Sequence, residues 1–91
     1  MGEFNVFKVL SDSIRRDILE MLRDGRMSAG EIAEKLGITP AALSYHLKLL
    51  REAGMVMEYK QKNFVYYEIN LGVFEDIVLW IESLGGKKNE K

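Results

Sequence analysis

The stretch Leu36-Gly37-Ile38-Thr39-Pro40 constrains this chain more than any other. It closes one helix and opens the next almost at once. Gly37 is the residue type on which a helix stops, because it takes the left-handed conformation without a Cβ clash. Thr39 is a strong N-cap, and Pro40 suits the first helical position, where a missing N–H costs nothing. Upstream, Ser28 and Glu31 have the spacing of a capping box, and Ile32, Ala33 and Leu36 fall on one inward face. Downstream, Leu43, Leu47 and Leu50 form an inward stripe that ends at Ala53-Gly54. Two amphipathic helices joined by so short a turn read as a helix-turn-helix.

The flanks complete the pattern. Phe4, Phe7 and Leu10 share a face at helical spacing in a short first helix over 4–10. Ser11 or Ser13 is expected to cap a second helix, about Ser13 to Arg23, with Asp12 near its positive end. Ile14, Ile18, Met21 and Leu22 form its apolar stripe, and Gly25 ends it. After Gly54 the period changes. Met55 to Lys60 and Phe64 to Ile69 are rich in β-branched and aromatic residues, which predicts two strands. Gln61-Lys62-Asn63 is expected as a three-residue hairpin loop, with Asn63 suited to the left-handed position. Asn70 caps or precedes a last helix, about Val73 to Leu84, and 85–91 read as a polar tail. The expected fold is mostly α with one β-hairpin, in the order α-α-α-α-β-β-α, as a single domain over 1–91.

Composition removes most function classes. The 91 residues include no Cys and only one His, His46. Disulfides, thiolate metal sites, cysteine nucleophiles and a His-cluster metal site within one chain are excluded. Nothing resembles a phosphate-binding loop or a nucleophile–base pair; Ser44 and His46, two apart on a helix, point in different directions. An enzyme is therefore not expected. No apolar run reaches membrane-span length and no signal-peptide layout is present, so the cytoplasm is the expected compartment. Net charge is −1, so position rather than total charge must attract a polyanion. The local excess falls in 39–70, where Lys48, Arg51, Lys60 and Lys62 stand against Glu52, Glu58 and Glu68.

With Leu43, Leu47 and Leu50 inward, the fourth helix presents Ala41, Ala42, Ser44, Tyr45 and Lys48 outward. Small residues at 41 and 42 allow close approach to base edges and contact with thymine methyls. Ser44 and Tyr45 offer hydrogen bonds to bases or phosphates. Thr39 and the helix N-terminus suit a phosphate. Lys48 and Arg51 reach toward a flanking backbone, and Lys60, Gln61, Lys62 and Asn63 cluster at the hairpin tip. Blander readings stand beside these: a protein-docking helix-turn-helix, a packing role for Tyr45, a solvated polar turn. His46 lies between the two faces, suited to packing, to a hydrogen bond or to a phosphate. Arg15 and Arg16 read chiefly as structural, with Asp12 or Glu20 as partners on their own helix.

The last helix is apolar around most of its circumference. Leu71, Val73, Phe74, Ile77, Val78, Leu79, Trp80, Ile81 and Leu84 exceed the stripe a one-sided helix needs. One face is expected to pack on its own domain and another on a second copy. The expected dimer interface comprises Phe4, Phe7, Val73, Phe74, Ile77, Trp80, Ile81 and Leu84.

Residues 7–69 resemble the ArsR-type family of winged-helix repressors. The resemblance rests on Phe7-Lys8-Val9-Leu10-Ser11-Asp12 with Arg15-Arg16 and Ile18-Leu19, on Glu31-Ile32-Ala33 and Leu36-Gly37-Ile38, on Leu43 through Val56, and on Phe64 through Asn70. It implies that the fourth helix enters the DNA major groove and that the hairpin is a wing on the backbone or minor groove. Family contact positions fall on Thr39, Pro40, Ala41, Ser44 and Tyr45. Pro40 and Ala41 stand where several members carry polar residues, so readout is expected to lean more on DNA shape. The resemblance also implies dimerisation through the first and last helices. The short length and the all-round apolar last helix resemble the small autorepressors of the sporulation-delaying type. Metal-sensing members need cysteines near Glu31–Lys35 or a His on the last helix; this chain has neither, so no cofactor and no metal are expected. The expected partners are double-stranded DNA, a second copy, and an anti-repressor protein or small ligand that releases the DNA. The function read from this is a sequence-specific repressor or autorepressor on a palindromic operator. The alternative is a winged-helix interaction module with weak or no DNA binding.

Overall fold

The structure, a computed structural model, describes residues 5–85. Helix α1 (Val6–Leu10) is followed by α2 (Ser13–Met21), a 3-10 turn over Leu22–Asp24, and the short strand β1 (Met27–Ser28). Then come α3 (Ala29–Leu36), α4 (Pro40–Glu52), β2 (Val56–Gln61), β3 (Phe64–Ile69) and α5 (Leu71–Gly85). The helix-turn-helix and the hairpin stand as expected. The strand β1 was not expected: it pairs antiparallel with β3, Met27 opposite Tyr67, giving a sheet of order β1-β3-β2. Two residues are too few to show a period in sequence, and only the partner strand makes them a strand.

Local chemistry explains the helix ends. Ser28 Oγ accepts from the Glu31 amide at 3.2 Å and the Glu31 carboxylate accepts from the Ser28 amide at 2.9 Å, a complete capping box. Gly37 sits at φ 68°, the left-handed stop the turn requires. Thr39 Oγ1 accepts from the Ala42 amide at 3.1 Å, with Pro40 at the start of α4. At α2 the expectation is corrected. The cap is Asp12, not Ser11 or Ser13, and its Oδ1 accepts from the Ile14 amide at 2.8 Å. Ser11 instead donates from its hydroxyl to the Lys8 carbonyl at 2.7 Å, closing α1. The helix also ends earlier than expected, at Met21, because its last turn tightens to 3-10 before Gly25.

The hairpin loop is also shorter than expected. Gln61 pairs with Phe64 in the ladder, leaving Lys62-Asn63 as a two-residue turn. Lys62, not Asn63, takes the positive φ, at 56°. A two-residue turn follows the right-handed twist of its strands and keeps one more pair in register, against roughly 1–2 kcal/mol for a left-handed side chain.

The core gathers Ile18 and Leu22 of the α2 region, Ile32 of α3, Leu43, Leu47 and Leu50 of α4, and Met55, Val56 and Tyr67 of the hairpin. Helix α5 joins only at its inner edge, where Val73, Phe74 and Ile77 pack, partly buried, against this cluster. The described chain measures 54 × 24 × 21 Å with a radius of gyration of 14.9 Å, against roughly 12 Å for a compact domain of this length.

Candidate nucleic-acid interface

Helix α4 is divided cleanly. Leu43, His46, Leu47 and Leu50 are buried, and the stripe anchors the helix on the core. Thr39, Pro40, Ala41, Ala42, Ser44, Tyr45, Lys48 and Arg51 are all exposed, Tyr45 at 59 %. The outward face read from sequence is therefore outward in the structure. At the N-terminus of α4 the capacity for an anion is narrower than expected. Pro40 has no N–H, the Ala42 amide is taken by Thr39 Oγ1, and the Leu43 amide bonds the Thr39 carbonyl at 3.0 Å. The Ala41 amide and the Thr39 hydroxyl proton are what remain to offer a phosphate.

The hairpin tip exposes Lys60, Gln61, Lys62 and Asn63. Lys60 and Glu58 share one face of β2 with Val56, by strand alternation. Arg51 differs from the free cation that sequence implied. Its Nη1 lies 3.7 Å from Glu58 Oε1, and Glu58 Oε2 accepts from the Tyr67 hydroxyl at 2.8 Å. This Arg51–Glu58–Tyr67 chain ties the end of α4 to both hairpin strands. Burial, and then the bond to Glu58, push the Tyr67 phenol up to about 12. Behind it, the Met55 amide bonds the Leu50 carbonyl at 2.9 Å, and Asn70 Nδ2 donates to the Gly54 carbonyl at 2.8 Å. The hairpin is thereby set rigidly against α4. On its other face the Arg26 guanidinium lies over the rings of Tyr59, at 4.8 Å, and Tyr66, at 5.9 Å.

Arg15 and Arg16 are structural, but with other partners than expected. Arg15 Nε donates to the Val9 carbonyl and Arg16 Nη1 to the Leu10 carbonyl, each at 2.8 Å. They satisfy carbonyls at the C-terminus of α1 that the helix itself leaves open. Burial pushes the Asp12 carboxyl up, yet the Ile14 and Arg15 amides and the Arg15 charge outweigh it and hold it below its usual value.

The expected dimer set divides in two. Val73, Phe74 and Ile77 pack on their own core, whereas Phe7, Trp80, Ile81 and Leu84 are exposed. The Phe7 and Trp80 rings lie 5.4 Å apart, so α1 and α5 form one continuous apolar surface. Leu71, Val78 and Leu79, outside the expected set, are exposed as well and line a groove with Phe74 and Glu75. Phe4 and the tail beyond Gly85 lie outside the described residues.

A helix-turn-helix domain family matches residues 10–59, which span the caps, the turn, α4 and most of β2. The chain belongs to the ArsR-type family of winged-helix transcriptional regulators. It is 40 % identical over 77 residues to the transcriptional repressor SdpR of Bacillus subtilis, covering 85 % of this chain and 86 % of SdpR. It is 33 % identical over 73 residues to an arsenical resistance operon repressor of Staphylococcus aureus, covering 80 % of this chain and 70 % of that one. The structure of reduced HlyU from Vibrio cholerae matches with a TM-score of 0.73 and 30 % identity, covering 88 % of this chain and 84 % of HlyU. This ArsR-type chain is accordingly a DNA-binding transcriptional regulator and not an enzyme. Among the described residues, no three of His, Cys, Asp and Glu stand close enough to hold a metal ion, and no helix is long and apolar enough to cross a membrane.

Proposed function

We propose that this regulator acts as a homodimeric repressor on a near-palindromic operator, without a metal or cofactor. Helix α4 enters the major groove with Ala41, Ala42, Ser44 and Tyr45 toward the bases and Thr39, Pro40 and Lys48 at the rim. The wing tip, Lys60 to Asn63, lies on the adjacent backbone. The observation that carries this reading is the bare outer face of α4: small and polar residues, all exposed, on a helix whose opposite face is locked into the core. Lys48, Lys60 and Lys62 supply the sequence-independent attraction. Glu58 offsets part of the Arg51 charge, so the contribution of Arg51 is smaller than that of a free cation.

The dimer reading rests on α1 and α5. Leu71, Val78, Leu79, Trp80, Ile81 and Leu84 are each more than half exposed, a patch that a lone soluble domain rarely keeps open. A twofold pair of chains places two α4 helices about one DNA turn apart, roughly 34 Å. Occupancy of the operator then blocks transcription. Selection of bound sequences from a random duplex library, at about 0.1 M salt, tests this. The expected result is an enriched near-palindrome with half-sites about 10 base pairs apart. A folded protein that enriches nothing would be an interaction module, or would need a ligand before it binds.

A further inference from the structure

Arg15 and His46 are each only 9 % exposed, and among the described residues Arg15 has no carboxylate partner. Its Nη1 lies 3.2 Å from His46 Nδ1. A guanidinium only donates, so Nδ1 must accept, and the ring proton of the neutral imidazole then sits on Nε2. An imidazolium would turn an N–H toward the guanidinium. Asp12, an acidic group close enough to act on His46 through charge, already spends Oδ1 on the Ile14 and Arg15 amides. Among the described residues Nε2 has no partner, yet no buried side-chain nitrogen lacks one. Nε2 therefore reaches solvent. It does so on α4 beside Tyr45, whose ring stands edge-on to the imidazole at 5.4 Å.

We propose that His46 is a neutral phosphate ligand for DNA, its Nε2–H held outward by Arg15. Arg15 is then a positioning residue. Through Nε it also holds the Val9 carbonyl of α1, so the donor on the DNA-facing helix is referenced to the terminal helix. A neutral N–H gives a phosphate oxygen a hydrogen bond and fixes register without displacing a counterion. This sets it apart from Lys48 and Lys62, whose contacts release ions. The proposal rests on the reading of α4 as the helix that enters DNA.

The test uses the full chain and a duplex enriched by the selection above. Long-range proton–nitrogen NMR of the free protein is expected to show the Nε2–H tautomer, with that resonance shifting when DNA is added. His46→Ala is expected to weaken binding about tenfold or more with an unchanged log–log salt slope. His46→Gln, whose amide offers Arg15 an acceptor and the phosphate a donor, is expected to recover most of the affinity. Replacing the contacted phosphate by a methylphosphonate is expected to abolish the difference between wild type and His46→Ala. An Nδ1–H tautomer, a charged ring, or a slope that falls by about 0.9 in His46→Ala would overturn the assignment. So would full affinity in His46→Ala while Lys62→Ala binds more weakly. If the wild-type chain binds no duplex at all, the reading of α4 fails first, and the phosphate role with it.

Discussion

Helices α4 and α5 make opposite use of exposure. Both leave side chains in water. Helix α4 buries Leu43, Leu47 and Leu50 completely and exposes alanines, a serine, a tyrosine and a lysine. Every described residue of α5 stays at least partly exposed, and its outer surface carries leucines, an isoleucine and Trp80. A helix anchored on one side can offer a polar, close-fitting face to a polyanion. A helix that buries nothing fully, yet is apolar nearly all round, is incomplete until another apolar surface covers it. On the proposed reading, exposure at α4 marks a face for nucleic acid, and exposure at α5 marks a face for a second copy.

The sharpest break of this contrast is a pair of leucines. Leu50, fully buried on α4, is expected to cost about 3 kcal/mol on replacement by Ala, read as a lowered urea midpoint with an unchanged slope. Leu79, 62 % exposed on α5, is expected to behave otherwise. Leu79→Glu should weaken self-association at least about tenfold by sedimentation equilibrium, while changing monomer stability by only about 0.5 kcal/mol. If Leu79→Glu unfolds the chain instead, α5 belongs to the monomer core and the contrast is lost.

The coupling of α4 to the wing gives a pH test. Because burial and the bond to Glu58 raise the Tyr67 phenol from 10.0 to about 12, the folded chain holds that proton more tightly than the unfolded chain. The stability it contributes is complete below pH 10 and is lost as pH rises through about 12. Denaturation midpoints measured across that window should fall in the wild type and fall less steeply in Tyr67→Phe. The smallest effect is expected at the wing tip. Lys62→Ala should reduce the log–log salt slope of DNA binding by about 0.9, leaving fold and dimer intact. An unchanged slope would remove the wing from the interface.

Much of this was legible in the sequence where the chemistry is local. The Ser28–Glu31 box, the Gly37 stop and the Thr39-Pro40 start each involve neighbours within one turn, so α3, α4 and the turn between them could be read directly. The outward face of α4 followed from the leucine spacing alone. What could not be read depends on contacts between distant segments. The Met27–Ser28 strand exists through Tyr66 and Tyr67. The hairpin loop is one residue shorter because Gln61 finds Phe64. Arg15 and Arg16 spend themselves on backbone carbonyls, which carry no mark in a sequence, and Arg51 is drawn to Glu58 across two elements. The split of α5 into an inner edge and an outer face also depended on the core it meets. The set of α5 residues read from sequence for a second copy therefore mixed Val73, Phe74 and Ile77, which pack on their own core, with Trp80, Ile81 and Leu84, which are exposed.

The most direct test compares wild type and Leu79→Glu on a full palindrome and on a duplex holding one half-site. If α4 reads DNA and α5 pairs the chains, wild type should bind the palindrome at least about tenfold more tightly than the half-site. Leu79→Glu should bind the two duplexes equally, with the half-site affinity of the wild type. Wild-type binding that does not distinguish the duplexes, or a variant that keeps the palindrome preference, would contradict the division of labour between the two helices.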